Sequence, residues 1–146
     1  MASHAQSQVL NGVLAAITPP LSDGHLRTLA LVVGPAMLLD ALDLVDKDLV
    51  ARVSPPASRP VYQVASSSIS SGSGGSYTLY PDLPGGYCPC AAFSSSVIAP
   101  GSTAVICKHL LACRLADCLG AWKDKSVSLK WVAGLATRFG AGAPPG

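Results

Sequence analysis

The chain predicts an α+β domain in which N-terminal helices precede a small antiparallel β-sheet and a metal-tied knuckle followed by a helix. Three observations carry this expectation. Apolar residues recur at helical spacing between Leu26 and Val45. From Leu49 to Tyr80 the apolar period shifts towards two, with turn residues in between. Cys88-Pro89-Cys90 is then followed, after sixteen intervening residues, by Cys107-Lys108-His109.

The elements follow in order. Residues 1–23 read as a weakly ordered segment in which Val9, Val13, Leu14 and Ile17 suggest a short helix stopped by Pro19-Pro20. His4 is placed in a mobile tail and His25 at a helix start. Leu26, Leu29, Ala30 and Val33 fall on one helix face. Gly34-Pro35 ends that helix and starts the next, with Pro35 at its first position. Leu38, Leu42 and Val45 then face inward, while Asp40, Asp43 and Lys47 face out. Leu49–Val53 and Pro60–Val64 form a hairpin around Ser54–Ser58, and Tyr77–Tyr80 is a third strand. Ser66–Ser76 is too poor in apolar residues to pack and reads as a flexible loop. Ser94–Ser96 and Pro100-Gly101 mark the stretch between the two ligand pairs as a loop. Leu111, Leu115, Cys118 and Leu119 continue at helical spacing to a stop at Gly120. Ser126 caps a last short helix bearing Val127, Trp131 and Leu135, and the tail from Gly140 reads as disordered. The domain plan is a leading segment 1–23, a single domain 24–120 with the finger at about 77–120, and a short helix and tail over 121–146.

Cys88, Cys90, Cys107 and His109 are the candidate metal ligands. Zn²⁺ takes four soft or borderline ligands in a tetrahedron, and a Cys₃His set supplies them. Pro89 holds its own φ and biases Cys88 towards extended backbone, which restricts the first pair to few geometries. Two residues apart, Cys107 and His109 diverge by about 200° inside a regular helix. Cys107 is therefore expected just before a helix and His109 in its first turn, where the helix N-terminus favours a thiolate. One structural Zn²⁺ per chain is the expectation.

Composition narrows the function classes. The 146 residues include no Glu, few aromatics and a formal net charge of +2. Such a balance does not suit tight non-specific DNA binding. A mild basic excess lies after residue 100, in Lys108, Arg114, Lys123, Lys125 and Lys130, and reads first as a solvated face. No secretory signal is visible, and the most apolar stretch, Thr28–Leu39, is short and flanked by Arg27 and Asp40, so no membrane association is expected. Metal-like cysteine spacing without an export signal points to cytosol or nucleus.

No catalytic set and no organic cofactor site emerge. Four protein ligands close a metal site that a catalytic ion would need open, and Asp82 is the nearest carboxylate in sequence. Cys113 and Cys118 lie five apart and read as small helix-packing residues rather than ligands. Gly72–Gly75 lacks the Gly-Lys-Ser/Thr of a phosphate loop. Tyr62, Tyr77 and Tyr87 have the chemistry to stack on bases, but read first as sheet or core residues.

The pattern C-x-C…C-x-H is that of the SWIM zinc finger. Ala41–Asp46, Arg59–Val64, Tyr77-Thr78, Tyr87–Phe93 and Cys107–Ala112 together resemble the zinc finger SWIM domain-containing protein seven family, the Sws-type subunits of Shu complexes. The resemblance covers about residues 25–120 and weakens beyond Gly120. It implies a non-enzymatic subunit supporting homologous recombination and DNA repair in the nucleus. It further implies a heterodimer with a RecA-like recombinase paralogue that promotes or stabilises recombinase filaments on single-stranded DNA; the low net charge adds the expectation of at most weak single-stranded DNA contact by the chain itself. The rival reading is a self-sufficient nucleic-acid-binding SWIM finger of transposase-like or transcription-related type, and a third is a ubiquitin-ligase adaptor. Leu42, Leu44 and Val45 are open between core and partner surface at this level.

Overall fold

The computed structural model describes residues 4–56, 59–65 and 76–136. Helices α1 (His4–Ala15), α2 (Asp23–Val33) and α3 (Pro35–Asp46) come first. Strands β1 (Val50–Ser54), β2 (Val61–Ala65) and β3 (Ser76–Leu79) follow. A π-helical turn (Phe93–Ile98), α4 (Lys108–Leu119), β4 (Lys123–Ser126) and α5 (Leu129–Ala136) complete the described chain. The α+β class is as expected. No helix among the described residues is long and apolar enough to cross a membrane.

Local chemistry sets the helix ends. Ser22 caps α2 by accepting the His25 amide, and the His25 ring accepts the Ser22 amide in return, a reciprocal capping box with His in the usual Glu position. Gly34, at φ +91°, separates α2 from α3 and leaves Pro35 at a position where its missing N–H matters little. Gly120 ends α4 in the left-handed conformation and donates its N–H to the Ala116 carbonyl.

Within the segment read as weakly ordered, α1 buries Leu10 and Leu14, and Ile17 beyond it is buried too. Their apolar area stabilises a helix that sequence spacing alone marks faintly. The α3 face is Leu38, Ala41, Leu44 and Val45, all buried, with Leu42 half-buried against them. These residues belong to the core, packed with Leu110, Leu111 and Leu115 of α4.

The sheet order is β3-β2-β1-β4. β1–β2 and β2–β3 are antiparallel, with Val50 opposite Val64 and Val64 opposite Tyr77. The three expected strands form the small antiparallel sheet, and β4, which the sequence does not mark, makes it mixed by pairing parallel to β1, Ala51 beside Lys123. Lys123–Ser126 is exposed at every position, so backbone pairing rather than side-chain burial makes it a strand. Its lysines also suit an edge, where charge discourages further strand addition. The same pairing moves the last helix: Ser126 ends β4, and Ser128 accepts the Trp131 amide at the start of α5. The expected loops at Ala57-Ser58 and 66–75 and the tail from Gly140 lie outside the described residues.

Candidate metal centre

β3 delivers the first ligand pair. Tyr80 and Tyr87 exchange both backbone hydrogen bonds, at 3.0 and 3.1 Å, closing the turn over residues 81–86. Gly86 sits in this turn at φ +70°, and a Cβ there would meet the Leu110 side chain of α4 at 3.3 Å. Glycine thus meets both the backbone conformation and the close approach. Cys88 emerges two residues later, directly against the start of α4.

The second pair comes from α4. Cys107 is its N-cap residue, extended at φ −88° and ψ 161°, and His109 lies in the first turn. The side chains therefore converge although two residues separate them. The ligand atoms of Cys88, Cys90, Cys107 and His109 all lie within 4.8 Å of one another. The four residues are 1–5% exposed. Cys88 Sγ is 3.8 Å from His109 Nδ1. Metal–sulfur bonds near 2.3 Å and metal–nitrogen bonds near 2.0 Å in a tetrahedron separate ligand atoms by about 3.5–3.8 Å, so the quartet fits a single ion.

Three thiols this close cannot all ionise without a counter-charge. Hydrogen bonding to Cys107 and then to Cys90, followed by burial, pushes Cys88 far above the ordinary thiol range. Hydrogen bonding from Cys107 and Cys88 holds Cys90 far below it. At Cys107 the bond with Cys88 pulls down, but the bond with Cys90 and burial outweigh it, raising the thiol to about 11. A bound dication would supply the missing charge for all three, aided by the positive end of α4.

Neighbours hold the ligands in place. The Phe93 amide donates to Cys90 Sγ at 3.3 Å. Phe93 is buried edge-on against Tyr87, with ring centroids 5.8 Å apart. The stretch between the pairs does not loop out. It winds into the π-helical turn, where Ser94 and Ser95 hydroxyls donate to the Ala91 carbonyl and Ser102 donates to that of Val97. Tyr77 packs on the His109 ring.

The remaining sequence candidates fall elsewhere. Cys113 is fully buried in the core, and burial raises its thiol well above the usual range. Cys118 donates its thiol to the Leu14 carbonyl of α1 at 3.3 Å. Neither belongs to the metal-ligating group. Asp82 is exposed in the 81–86 turn. His4 begins α1. The three tyrosines are taken up by internal contacts: Tyr77 by His109, Tyr87 by Phe93, and Tyr62 by a hydrogen bond from its hydroxyl to Asp117 of α4. That last pair has no local sequence signal, since its members lie on separate elements. Arg52 extends the network, its guanidinium 5.2 Å from the Trp122 ring centroid.

No family model and no solved structure matches the chain. Three curated proteins do, each named zinc finger SWIM domain-containing protein 7. The Danio rerio protein is 40% identical over 108 residues, covering 74% of this chain and 71% of the relative. The Mus musculus protein is 37% identical over 130 residues, covering 88% and 80%. The Homo sapiens protein is 34% identical over 125 residues, covering 84% and 83%. With a Cys₃His quartet closed by a strand end and a helix start, and with this identity across most of its length, the chain belongs to the zinc finger SWIM domain-containing protein 7 family.

Proposed function

We propose that the chain is a non-enzymatic subunit that supports homologous recombination in DNA repair. It binds one structural Zn²⁺ through Cys88, Cys90, Cys107 and His109. In the nucleus it pairs with a RecA-like partner, and the heterodimer promotes or stabilises recombinase filaments on single-stranded DNA. The carrying observation is the buried, closed Cys₃His quartet at the junction of sheet and α4. Four protein ligands with no open position suit an ion that orders a scaffold. The relatives' names, which specify a zinc finger, support zinc as the ion. The Shu-type role follows from the resemblance of the ordered blocks between residues 25 and 120.

Weak intrinsic DNA binding fits this reading. The net charge is +2, and Tyr62, Tyr77 and Tyr87 have internal partners. Co-expression with RecA-like recombinase paralogues, followed by size-exclusion chromatography and single-stranded DNA titration at near-physiological salt, is the test. A stable heterodimer with weak DNA binding by the lone chain is expected. Nanomolar DNA binding by the lone chain with a steep salt slope would favour the self-sufficient nucleic-acid-binding finger.

A further inference from the structure

β4 ends the sheet order β3-β2-β1-β4, so it is bonded on one side only, to β1. All four of its residues are exposed. Among the described residues, β1 is the one element packed closely against it. In a ladder every second residue turns its N–H and C=O away from the neighbouring strand. Among the described residues, those outward groups of residues 123–126 make no backbone hydrogen bond. An open edge of this kind is a template for a further strand.

The side chains decide which strand it can take. Successive residues point to opposite faces, so Lys123 and Lys125 share one face, beside Ala51 and Val53 of β1. Lys125 makes no ion pair among the described residues; its Nζ lies 3.5 Å from the neutral Gln63 Oε1. Lys123 meets Asp48 at 3.8 Å, with both side chains 65% exposed, a long and solvated contact that holds it weakly. Asp124 points to the other face, where its carboxylate accepts the Trp122 indole N–H at 3.2 Å. The edge is therefore sided, with two lysines along one face and an acidic residue between them on the other.

We propose that β4 docks an extended segment of a partner protein, which adds as a further strand with acidic side chains at alternate positions and neutral ones between them. The acidic residues would lie beside Lys123 and Lys125, and the neutral ones would pass Asp124 without repulsion. A second copy of this chain would set Lys123 and Lys125 against themselves, so the same lysines that admit an acidic strand repel self-pairing. Nucleic acid suits the edge less well, because it lacks the alternating peptide donors and acceptors that a strand edge leaves open, and Asp48 and Asp124 flank the lysines. This docking is independent of the RecA-like partner proposed above, since the lone chain displays the whole edge.

A fluorescein-labelled decapeptide alternating Glu with Thr, titrated against the full-length, metal-loaded chain by fluorescence polarisation, tests it. Saturable binding is expected, with slowed amide exchange in residues 123–126. The Lys123→Glu/Lys125→Glu double variant should bind this peptide about tenfold more weakly, and should gain affinity for a decapeptide alternating Lys with Thr. That gain cannot arise from unfolding; metal content and unfolding temperature serve as further folding controls. Lys130→Glu, on α5 beyond the strand, should leave binding unchanged. A peptide of the same composition with its Glu and Thr in two blocks, or one N-methylated at alternate amides, should bind more weakly. No saturable binding up to about 1 mM would overturn the proposal. So would equal binding of the block or methylated peptide, an equal loss in Lys130→Glu, or displacement of the peptide by an oligo-dT strand, which would mark a general polyanion surface.

Discussion

Tyr77 of β3 lies against the imidazole of His109, with ring centroids 4.8 Å apart and planes tilted by 55°. The sheet therefore touches the metal centre through a ligand's face as well as through the chain that leads to Cys88. An aromatic pair of this kind contributes about 0.5–1.5 kcal/mol beyond its buried area. Tyr77→Leu is expected to weaken metal affinity up to about tenfold in chelator competition, while Tyr77→Phe keeps the ring and should match the parent. Equal losses in both variants would place the effect on the hydroxyl instead.

Removing the metal or a ligand should be far more damaging than removing a packing thiol. Structural zinc in small fingers contributes ~10–16 kcal/mol of apparent binding energy. Chelation, Cys90→Ser and Cys107→Ser should each abolish the cooperative unfolding transition of the finger, and elemental analysis should give about one zinc per chain in the parent. Cys113→Ala should retain the metal at a cost of about 1 kcal/mol in urea unfolding. Cys118→Ser, which can still donate to the Leu14 carbonyl, should be nearly neutral. Metal loss in Cys118→Ser comparable to that in Cys107→Ser would show that the ligand set is wrong.

Gly86 is expected to be intolerant of any side chain. Its φ of +70° costs an L residue about 1–2 kcal/mol, and the added Cβ would press on Leu110 at 3.3 Å. Gly86→Ala should lower stability by about that amount and shift the Cys88–Cys90 pair, seen as a reduced metal affinity. Gly101 is also at positive φ, but a Cβ added there would meet nothing within 4 Å. Gly101→Ala should therefore lose stability without losing metal affinity.

Tyr62 gives the fold a defined alkaline sensitivity. Burial first, then the hydrogen bond to Asp117, raises its pKa above the ordinary value of 10.0. A raised folded-state value means that the neutral phenol is favoured in the fold. Its stabilisation is complete below the unfolded pKa and is lost as pH climbs from about 10 towards the folded value. Tyr62→Phe should cost about 1.5–3 kcal/mol in urea unfolding near pH 7, the range for a hydrogen bond to a charged group. The gap between parent and variant should narrow steadily above pH 10, and a gap independent of pH would contradict the assignment.

Ending the chain at Gly120 should expose β1 as a bare sheet edge. Val50 and Val53 on that strand are fully buried in the intact chain, whereas β4 itself is charged and exposed. The truncated protein is expected to aggregate at concentrations where the full chain stays dispersed, as read by light scattering.

How much of this was legible follows from where each signal resides. The grouping of Cys88, Cys90, Cys107 and His109 could be read because the ligand pairs are tight in sequence and a one-residue spacer leaves few geometries. The α2–α3 corner was legible through Gly34-Pro35, and the end of α4 through Gly120. β4 was not, since Lys-Asp-Lys-Ser has no apolar alternation and its pairing lies entirely in the backbone. The π-helical turn hid behind serines, whose hydroxyls satisfy carbonyls that a regular helix would bond with amides. The Tyr62–Asp117 and Arg114–Asn11 hydrogen bonds depend on residues brought together from distant segments, which no local period can announce.

The parallel pairing of β1 with β4 also sets a sequence of events in folding. Ala51 and Lys123 are sheet neighbours, yet the hairpin, the knuckle and α4 all lie between them in the chain. Closing a loop of that length is entropically unfavourable until the intervening segments have condensed. A nascent chain can complete α1 to α4, the hairpin and the knuckle before the residues of β4 leave the ribosome. The last strand therefore locks a structure it does not nucleate. Changes within Lys123–Ser126 should speed unfolding while leaving the refolding rate nearly untouched, which makes this polar edge a determinant of the lifetime of the native state rather than of its formation.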